Sequence, residues 1–391
     1  MALLFIFLLP TQLGKHFFFP FSYISGVRVD YLAPTLYVTD LIFIILLAVN
    51  FKKIINGFKN KRLLIISGLL LISVFFALSW QIATYRYLKI LELIGVFFIF
   101  KNTKISIKNI LNVFLASSLF TATLAVLQFV SKSSLQGIFY FFGERFLTLS
   151  TPDVAKASLQ GVEFLRPYAT FSHPNSMAGY FLLVYLFLLV PGQKSLIKNL
   201  LVFISAFIVL VSFSKIAILT LIFLTVVYFA KMWKKIDCKF CITSRIIVLS
   251  VLGLVFSFAQ TDPSSLQKRV ELLSNSLKLI SANPLFGVGL GNYITAQAGI
   301  AKQLFTLTQP VHNVFILLMA ESGIILFSLI FFNLYKFFQK LLDFNLFILV
   351  SAIIITGFFD HYWLTLQQNF LLMGVFLGLI TSREAFFSRP R

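Results

Sequence analysis

The chain has 391 residues, of which 59% are hydrophobic and only 12% charged. A soluble domain carries about a quarter charged residues, so this composition excludes a soluble globular protein. Net charge is +20, from 33 Lys+Arg against 13 Asp+Glu; in a chain this apolar, basic residues report membrane orientation and not nucleic-acid binding.

Apolar runs predict an all-α polytopic transmembrane bundle of about twelve helices, since each run is close to the length needed to cross ~30 Å of hydrocarbon. They fall at roughly 1–13, 35–51, 63–79, 87–100, 109–131, 176–191, 196–212, 214–230, 245–260, 313–335, 344–360 and 363–381. Alternation of the β-barrel kind is absent. The first run is the shortest; before Lys15 and His16 it either extends towards Phe21 or only dips into the bilayer. Lacking a basic n-region and a small-residue cleavage site, it reads as a retained segment, not a signal peptide. The 49 Phe read as lipid-facing and packing residues. The Cys238-x-x-Cys241 pair has no second ligand pair nearby and reads as two reduced thiols, not zinc ligands.

Basic residues gather on alternate short loops: Lys52, Lys53, Lys59, Lys61 and Arg62; Lys101, Lys104 and Lys108; Lys194 and Lys198; Lys231, Lys234, Lys235, Lys239 and Arg245; Lys336 and Lys340; Arg383, Arg389 and Arg391. The positive-inside rule makes these loops cytoplasmic, with both termini inside a bacterial inner membrane. The other loops then face out, and two of them, 132–175 and 261–312, are long. Residues 1–391 form one membrane domain, with no convincing internal repeat.

Unusual polar residues collect on the outward side: His16, His173, His312 and His361, with Arg166, Lys215 and Arg269. Arg86, Lys89 and Glu92 share the outer end of a helix, where Lys89 and Glu92 can pair. Arg166-Pro-Tyr-Ala-Thr-Phe-Ser-His173-Pro-Asn175 leads into a span. Its Arg can grip an anionic oxygen or anchor to lipid headgroups, and Asn175-Ser176 can cap the next helix. Lys215 either snorkels outward or lines a cavity. Residues 266–281 carry Val270, Leu273, Leu277 and Ile280 at helical spacing, which predicts an amphipathic helix on the outer leaflet with Arg269 on its flank. Gly287-Val-Gly-Leu-Gly291 has no Lys-Ser/Thr after it, so it is no P-loop; it reads as tight turns for close backbone approach, to protein or to a ligand. Pro310-Val-His312-Asn313 opens a span. The helix dipole there disfavours imidazolium, leaving His312 as a general base, a cap or an interfacial residue. Glu321, about two and a half turns deeper, is an intramembrane acid that needs a partner. Asp360-His361 is an acid–base pair or a structural hydrogen bond. No carboxylate cluster lies outside, which argues against a Mg²⁺ site.

These motifs in this order resemble the O-antigen ligase/O-antigen polymerase superfamily of membrane glycosyltransferases. The most specific parts are Arg166 to Asn175, Asn283-Pro-Leu-Phe-Gly-Val-Gly-Leu-Gly-Asn292, and His312-Asn313 followed by Glu321-Ser-Gly323. The resemblance implies an enzyme, metal-independent and without cofactors, that moves a glycan from an undecaprenyl diphosphate carrier to an acceptor sugar hydroxyl on the periplasmic face. The acceptor would be a growing glycan, a glycolipid or lipid A core. It implies His312 as base or acceptor-orienting group, Arg269 as diphosphate holder and Arg166 as a further catalytic cation. Lys215 falls where many members have Ser-Arg and keeps the charge without the bidentate geometry. His173, Asn175, Asn313, Arg86, Glu321, Asp360 and His361 complete the expected substrate-binding set. Membrane lipids are expected partners and nucleic acid is not. The rival readings are a multi-span transporter or lipid-linked glycan flippase, and a non-catalytic component of a polysaccharide assembly complex.

Overall fold

The structure is a computed structural model and describes residues 1–159, 161–189, 195–235, 239–258, 264–300, 308–341 and 343–382. Cys238 of the CxxC pair, and Lys194, Arg383, Arg389 and Arg391 of the basic loops, lie outside the described residues.

The main helices are α1 (Ala2–Leu8), α2 (Val38–Phe58), α3 (Lys61–Phe75), α4 (Trp80–Lys101), α5 (Ile107–Ser131), α6 (Pro174–Leu189), α7 (Leu196–Val211), α8 (Lys215–Met232), α9 (Lys239–Ser257), α10 (Ser264–Ala282), α11 (Val314–Gln339), α12 (Phe344–Gly357) and α13 (Gln367–Thr381). Each predicted segment from 35 onward contains one of these helices among the described residues, and capping residues bound several of them. Asn60, Ser106, Ser195, Asn313 and Asp343 each accept a backbone N–H from the first turn they precede. Among the described residues, α5, α8 and α11 are long and apolar enough to cross a membrane, and α6, α7, α12, α13 and most of α9 are shorter apolar helices. The protein is a polytopic helical membrane protein.

The first predicted run takes the shorter of its two alternatives. The α1 helix has 7 residues, about 10 Å at 1.5 Å per residue, too short to cross. It ends before Pro10, and Phe5 and Ile6 are wholly buried, so it plugs into the bundle. The chain then runs through β1 (Gly14–His16), which pairs antiparallel with β4 (Thr35–Tyr37); between them β2 (Tyr23–Ile24) pairs with β3 (Val27–Arg28). A third hairpin, β5 (Lys156–Leu159) with β6 (Val162–Leu165), lies in the 132–175 loop.

The centre of the bundle is α6, buried on all sides from Ser176 to Phe187, as expected of a helix apolar all round. The predicted Lys89–Glu92 pair is present at 3.1 Å and is shared with Asp40 of α2 at 2.6 Å. Helix α10 carries two apolar stripes. Val270, Leu273 and Leu277 are exposed as an outer-leaflet helix requires, whereas Leu272, Leu279 and Ile280 pack on the protein.

The Gly287–Gly291 string forms tight turns whose backbone packs closely on α11. Helix α11 breaks at Gly323, which adopts φ 73° and ψ 161°. The break is closed by the glycine loop: Val288 N–H donates to Ala320 O at 3.0 Å, Gly289 N–H to Glu321 O at 2.8 Å, and Ile324 N–H to Pro284 O at 2.8 Å. Buried backbone groups left open by a broken helix cost several kcal/mol in lipid; the loop satisfies them. Gly287 has φ +66°, and a Cβ there would stand 2.4 Å from the Glu321 carbonyl carbon. Gly287→Ala is therefore expected to lower thermal stability by at least ~1–2 kcal/mol from the left-handed backbone alone. Thermal unfolding in detergent checks this, and an unchanged midpoint would contradict it.

Candidate active site

Four loops meet on one face of the bundle: 14–37, the end of 132–175, the start of α11, and 358–366. Their meeting point is Asp360, in the turn after α12. Its Oδ1 accepts the His361 backbone N–H at 2.8 Å, and its Oδ2 accepts Asn175 Nδ2 at 2.9 Å. His312 Nδ1 faces the same Oδ1 at 3.5 Å; this nitrogen is buried and forms no hydrogen bond of normal geometry. Burial pushes the Asp360 carboxyl up, but the His312 contact and the nearby His361 and His173 outweigh it and hold the acid well below the usual carboxylate range.

Asn175 does not cap α6, as the sequence suggested. That helix starts at Pro174, and the Asn175 side chain instead bridges Asp360 and Arg166, whose Nη2 donates to Asn175 Oδ1 at 2.7 Å. Arg166 Nε donates to Ser212 O at 2.8 Å, the last residue before the α8 turn. Arg166 is thus a buried residue tied on two sides, not an open clamp; burial brings its pKa down to about 10, so it stays cationic at neutral pH.

Arg269 approaches from α10, where Nη1 donates to Phe359 O at 2.9 Å. Lys215 is exposed at the first turn of α8, three residues beyond Ser212. His173 Nδ1 accepts the Asn175 N–H at 3.1 Å, and the ring meets Tyr168 edge-on at 5.9 Å. His361 Nδ1 bonds Thr365 Oγ1 at 2.7 Å, its ring is 5.1 Å from that of His312, and Tyr31 meets it edge-on at 5.7 Å. Burial, with Arg166 for His173, brings the pKa of each of these two imidazoles down to about 3.

That depression has a stability consequence. An imidazole titrating near 6.5 in the unfolded chain and near 3 in the folded one binds a proton in the unfolded state first. Its stabilising effect is complete above pH ~6.5 and is lost as pH falls towards 3, by about 1.4 kcal/mol per pH unit for each histidine. The depressed Asp360 acts in the same direction at lower pH. Thermal midpoints are expected to be flat above pH 7 and to drop steeply from pH 6 to 4; a flat profile through that window would refute the buried-neutral assignment.

Three expected substrate-binding residues have partners within the protein. Asn313 caps α11, accepting Phe315 and Ile316 N–H at 2.9 and 3.0 Å and donating to Phe358 O at 3.0 Å, so its side chain is fully used. Glu321 is buried, with its carboxyl on the backbone N–H groups of Gly291 and Tyr293 and Arg86 as the nearby charge. It and Arg86 line a small cavity with Tyr31, Gly291, Tyr293 and Thr365, on the His361 side of the cluster. Sequence reasoning missed Tyr31, Thr365 and Arg145, which flank the cluster; none belongs to a motif, and only the fold brings them there.

Side-chain ligand atoms of His312, Asp360 and His361 lie within 4.8 Å of one another, a donor set that can hold a metal ion. The set holds one carboxylate, and two imidazoles supply its other donors.

Residues 200–331 match the family model Wzy_C, described as O-antigen ligase. That segment is similar to the O-antigen ligase/polymerase superfamily. No curated protein matches it. The matched segment is roughly a third of the chain. It contains Lys215, Arg269, His312 and Glu321, whereas Arg166, His173, Asn175, Asp360 and His361 lie outside it and join the site through the fold. The family indicates a membrane glycan-processing enzyme of the ligase/polymerase kind, acting on lipid-linked glycan and an acceptor.

Proposed function

We propose that this protein transfers or polymerises a glycan from undecaprenyl diphosphate onto an acceptor hydroxyl, at the extracytoplasmic face of the bacterial inner membrane. With α1 too short to cross, about eleven crossings put the C-terminus inside and the 1–37 segment outside. The observation that carries the reading is the His312–Asp360 pair, linked through Asn175 to Arg166 and flanked by Arg269: a base and fixed cations around one point.

In the step proposed, the acceptor O–H attacks the anomeric carbon of the donor sugar. The bond between that carbon and the diphosphate oxygen breaks with inversion, and the electron pair leaves on the lipid diphosphate. His312 takes the acceptor proton on Nε2 while its Nδ1–H points at Asp360, which stabilises the imidazolium that forms. Arg269, Arg166 and Lys215 neutralise the charge building on the diphosphate, the task a metal performs in other transferases. The His312–Asp360–His361 donor set has a different use in this scheme, since a metal on His312 would occupy the base.

A second feature supports a lipid-bound donor. Val126, Phe129, Phe207, Val211, Phe213, Val255 and Phe256 line an apolar crevice of about 300 Å³ between α5, α7 and α9. Phe213 follows Ser212, whose carbonyl holds Arg166. An isoprenoid chain there would bring its diphosphate to the Arg166 side of the site.

The test is purified protein with an undecaprenyl-diphosphate-linked oligosaccharide and acceptor, in EDTA. The expected products are a new glycosidic bond and free undecaprenyl diphosphate. Movement of the lipid-linked glycan across a vesicle bilayer without transfer would instead establish a flippase. Loss of transfer in EDTA, restored by a divalent ion, would overturn the metal-free scheme.

A further inference from the structure

We propose that Arg145 heads a second anion-recognition surface beside the His312–Asp360 pair, and that it takes an acidic sugar of the acceptor glycan. The inference rests on the transfer reading above and names the acceptor class.

Arg145 follows Glu144, a buried carboxylate that accepts Gln128 Nε2 at 2.7 Å, Leu135 N–H at 2.8 Å and Gln136 N–H at 2.6 Å. These bonds fix the backbone from which Arg145 projects, and Gly143 packs against the Gln12 backbone on the other side. The Arg145 side chain is exposed. Its Nη1 donates to Ser172 O at 3.3 Å, next to His173, and Gln12 Nε2 donates to Ser172 Oγ at 2.6 Å. Among the described residues no carboxylate lies within ion-pair distance of Arg145. A guanidinium has five N–H donors in a planar fork, and a carboxylate or phosphate matches that fork in a bidentate grip.

Its position relative to the reacting pair is fixed by its neighbours. Arg145 lies within electrostatic range of His16, Tyr31 and Tyr168. Tyr31 in turn lies within range of Asp360 and meets the His361 ring at 5.7 Å. Arg269, by contrast, acts on Arg166, His173 and His361. Arg166, held by Ser212 O next to the crevice residue Phe213, suits a lipid diphosphate. Arg145 adjoins the 14–37 segment, with Gln12 and His16 as hydrogen-bonding groups and Tyr31 as a ring a sugar can stack on. Tyr31 links that rim to His312 through the His361 ring, 5.7 Å from Tyr31 and 5.1 Å from His312.

The test uses the full-length protein in phosphatidylcholine nanodiscs. Two probe pairs are titrated: trigalacturonate against its methyl ester, and a trisaccharide monophosphate against the unphosphorylated trisaccharide. Each charged probe is expected to bind about tenfold tighter than its neutral partner, the scale of one charge-assisted contact. Arg145→Gln should erase that preference and Arg145→Lys should keep part of it, with melting unchanged because the side chain is exposed. The two pairs separate uronate from phosphate as the preferred anion. Equal binding of charged and neutral probes, or a preference that survives Arg145→Gln, would overturn the proposal. So would weaker undecaprenyl diphosphate binding in Arg145→Gln, which would put this residue on the donor side. Anionic phosphatidylglycerol that abolishes the preference when added to the disc would make the surface a headgroup seat, also against the proposal. Failure of the wild-type protein to bind undecaprenyl diphosphate would count against the transfer reading itself, whatever the sugar probes show.

Discussion

His312→Ala is expected to abolish glycan transfer while leaving the fold and donor binding intact. General-base catalysis by a positioned imidazole contributes about 10²–10⁴-fold, so turnover should fall to that extent or below detection. Folding should survive for a structural reason. The helix start belongs to Asn313, whose Oδ1 accepts both Phe315 and Ile316 N–H. Asp360 also keeps its bonds to Asn175 and His361. Donor affinity should persist because Arg166 and Arg269 are held by Ser212, Asn175 and Phe359, none of which depends on His312. The measurements are turnover with lipid-linked glycan, the melting midpoint, and undecaprenyl diphosphate affinity. Normal turnover would remove His312 from the mechanism. A collapsed midpoint would mean the residue is structural.

Most of the helical framework was legible because membrane helices announce themselves by apolar length, and their ends by capping residues such as Ser106, Ser195 and Asp343. The N-terminal segment stayed open between a span and a dip because a run of thirteen residues looks alike whether it faces lipid or protein; Pro10 and the short β1–β4 pairing decide it. The site was legible in part. His312, Arg269 and Arg166 stood out because charge and imidazole are rare in so apolar a chain. Their partnerships did not, since Asn175 and Asp360 meet across 185 residues, a contact that no local spacing encodes. Asn175 read as a cap because Asn before a helix usually is one. Glu321 read as a site residue because a buried acid in a span usually is functional; here its partners are the backbone of a loop closing a broken helix.

Asp360→Asn is the substitution expected to separate positioning from charge. The carboxylate takes Asn175 Nδ2 on Oδ2 and the His361 N–H on Oδ1, with His312 Nδ1 beyond. All of these are donors when His312 carries its Nδ1 proton. A carboxamide keeps the shape but offers one acceptor oxygen and an NH₂ group. Whichever way it turns, a donor meets a donor, and an unsatisfied buried polar group costs about 1–3 kcal/mol. The melting midpoint should therefore fall moderately. Turnover should fall further, by about a hundredfold or more, because the imidazolium loses its counter-charge as it forms. Donor KM should rise less than turnover falls, since Arg166 keeps its Ser212 bond even if Asn175 shifts. A purely structural role predicts the opposite split, with turnover per folded molecule unchanged. The pair of readings, turnover normalised to folded protein and donor KM, distinguishes the two. If Asp360→Asn retained turnover within about twofold of the natural protein, too little for a lost charge-assisted contact, the Asp360–His312 pair would have no part in proton transfer.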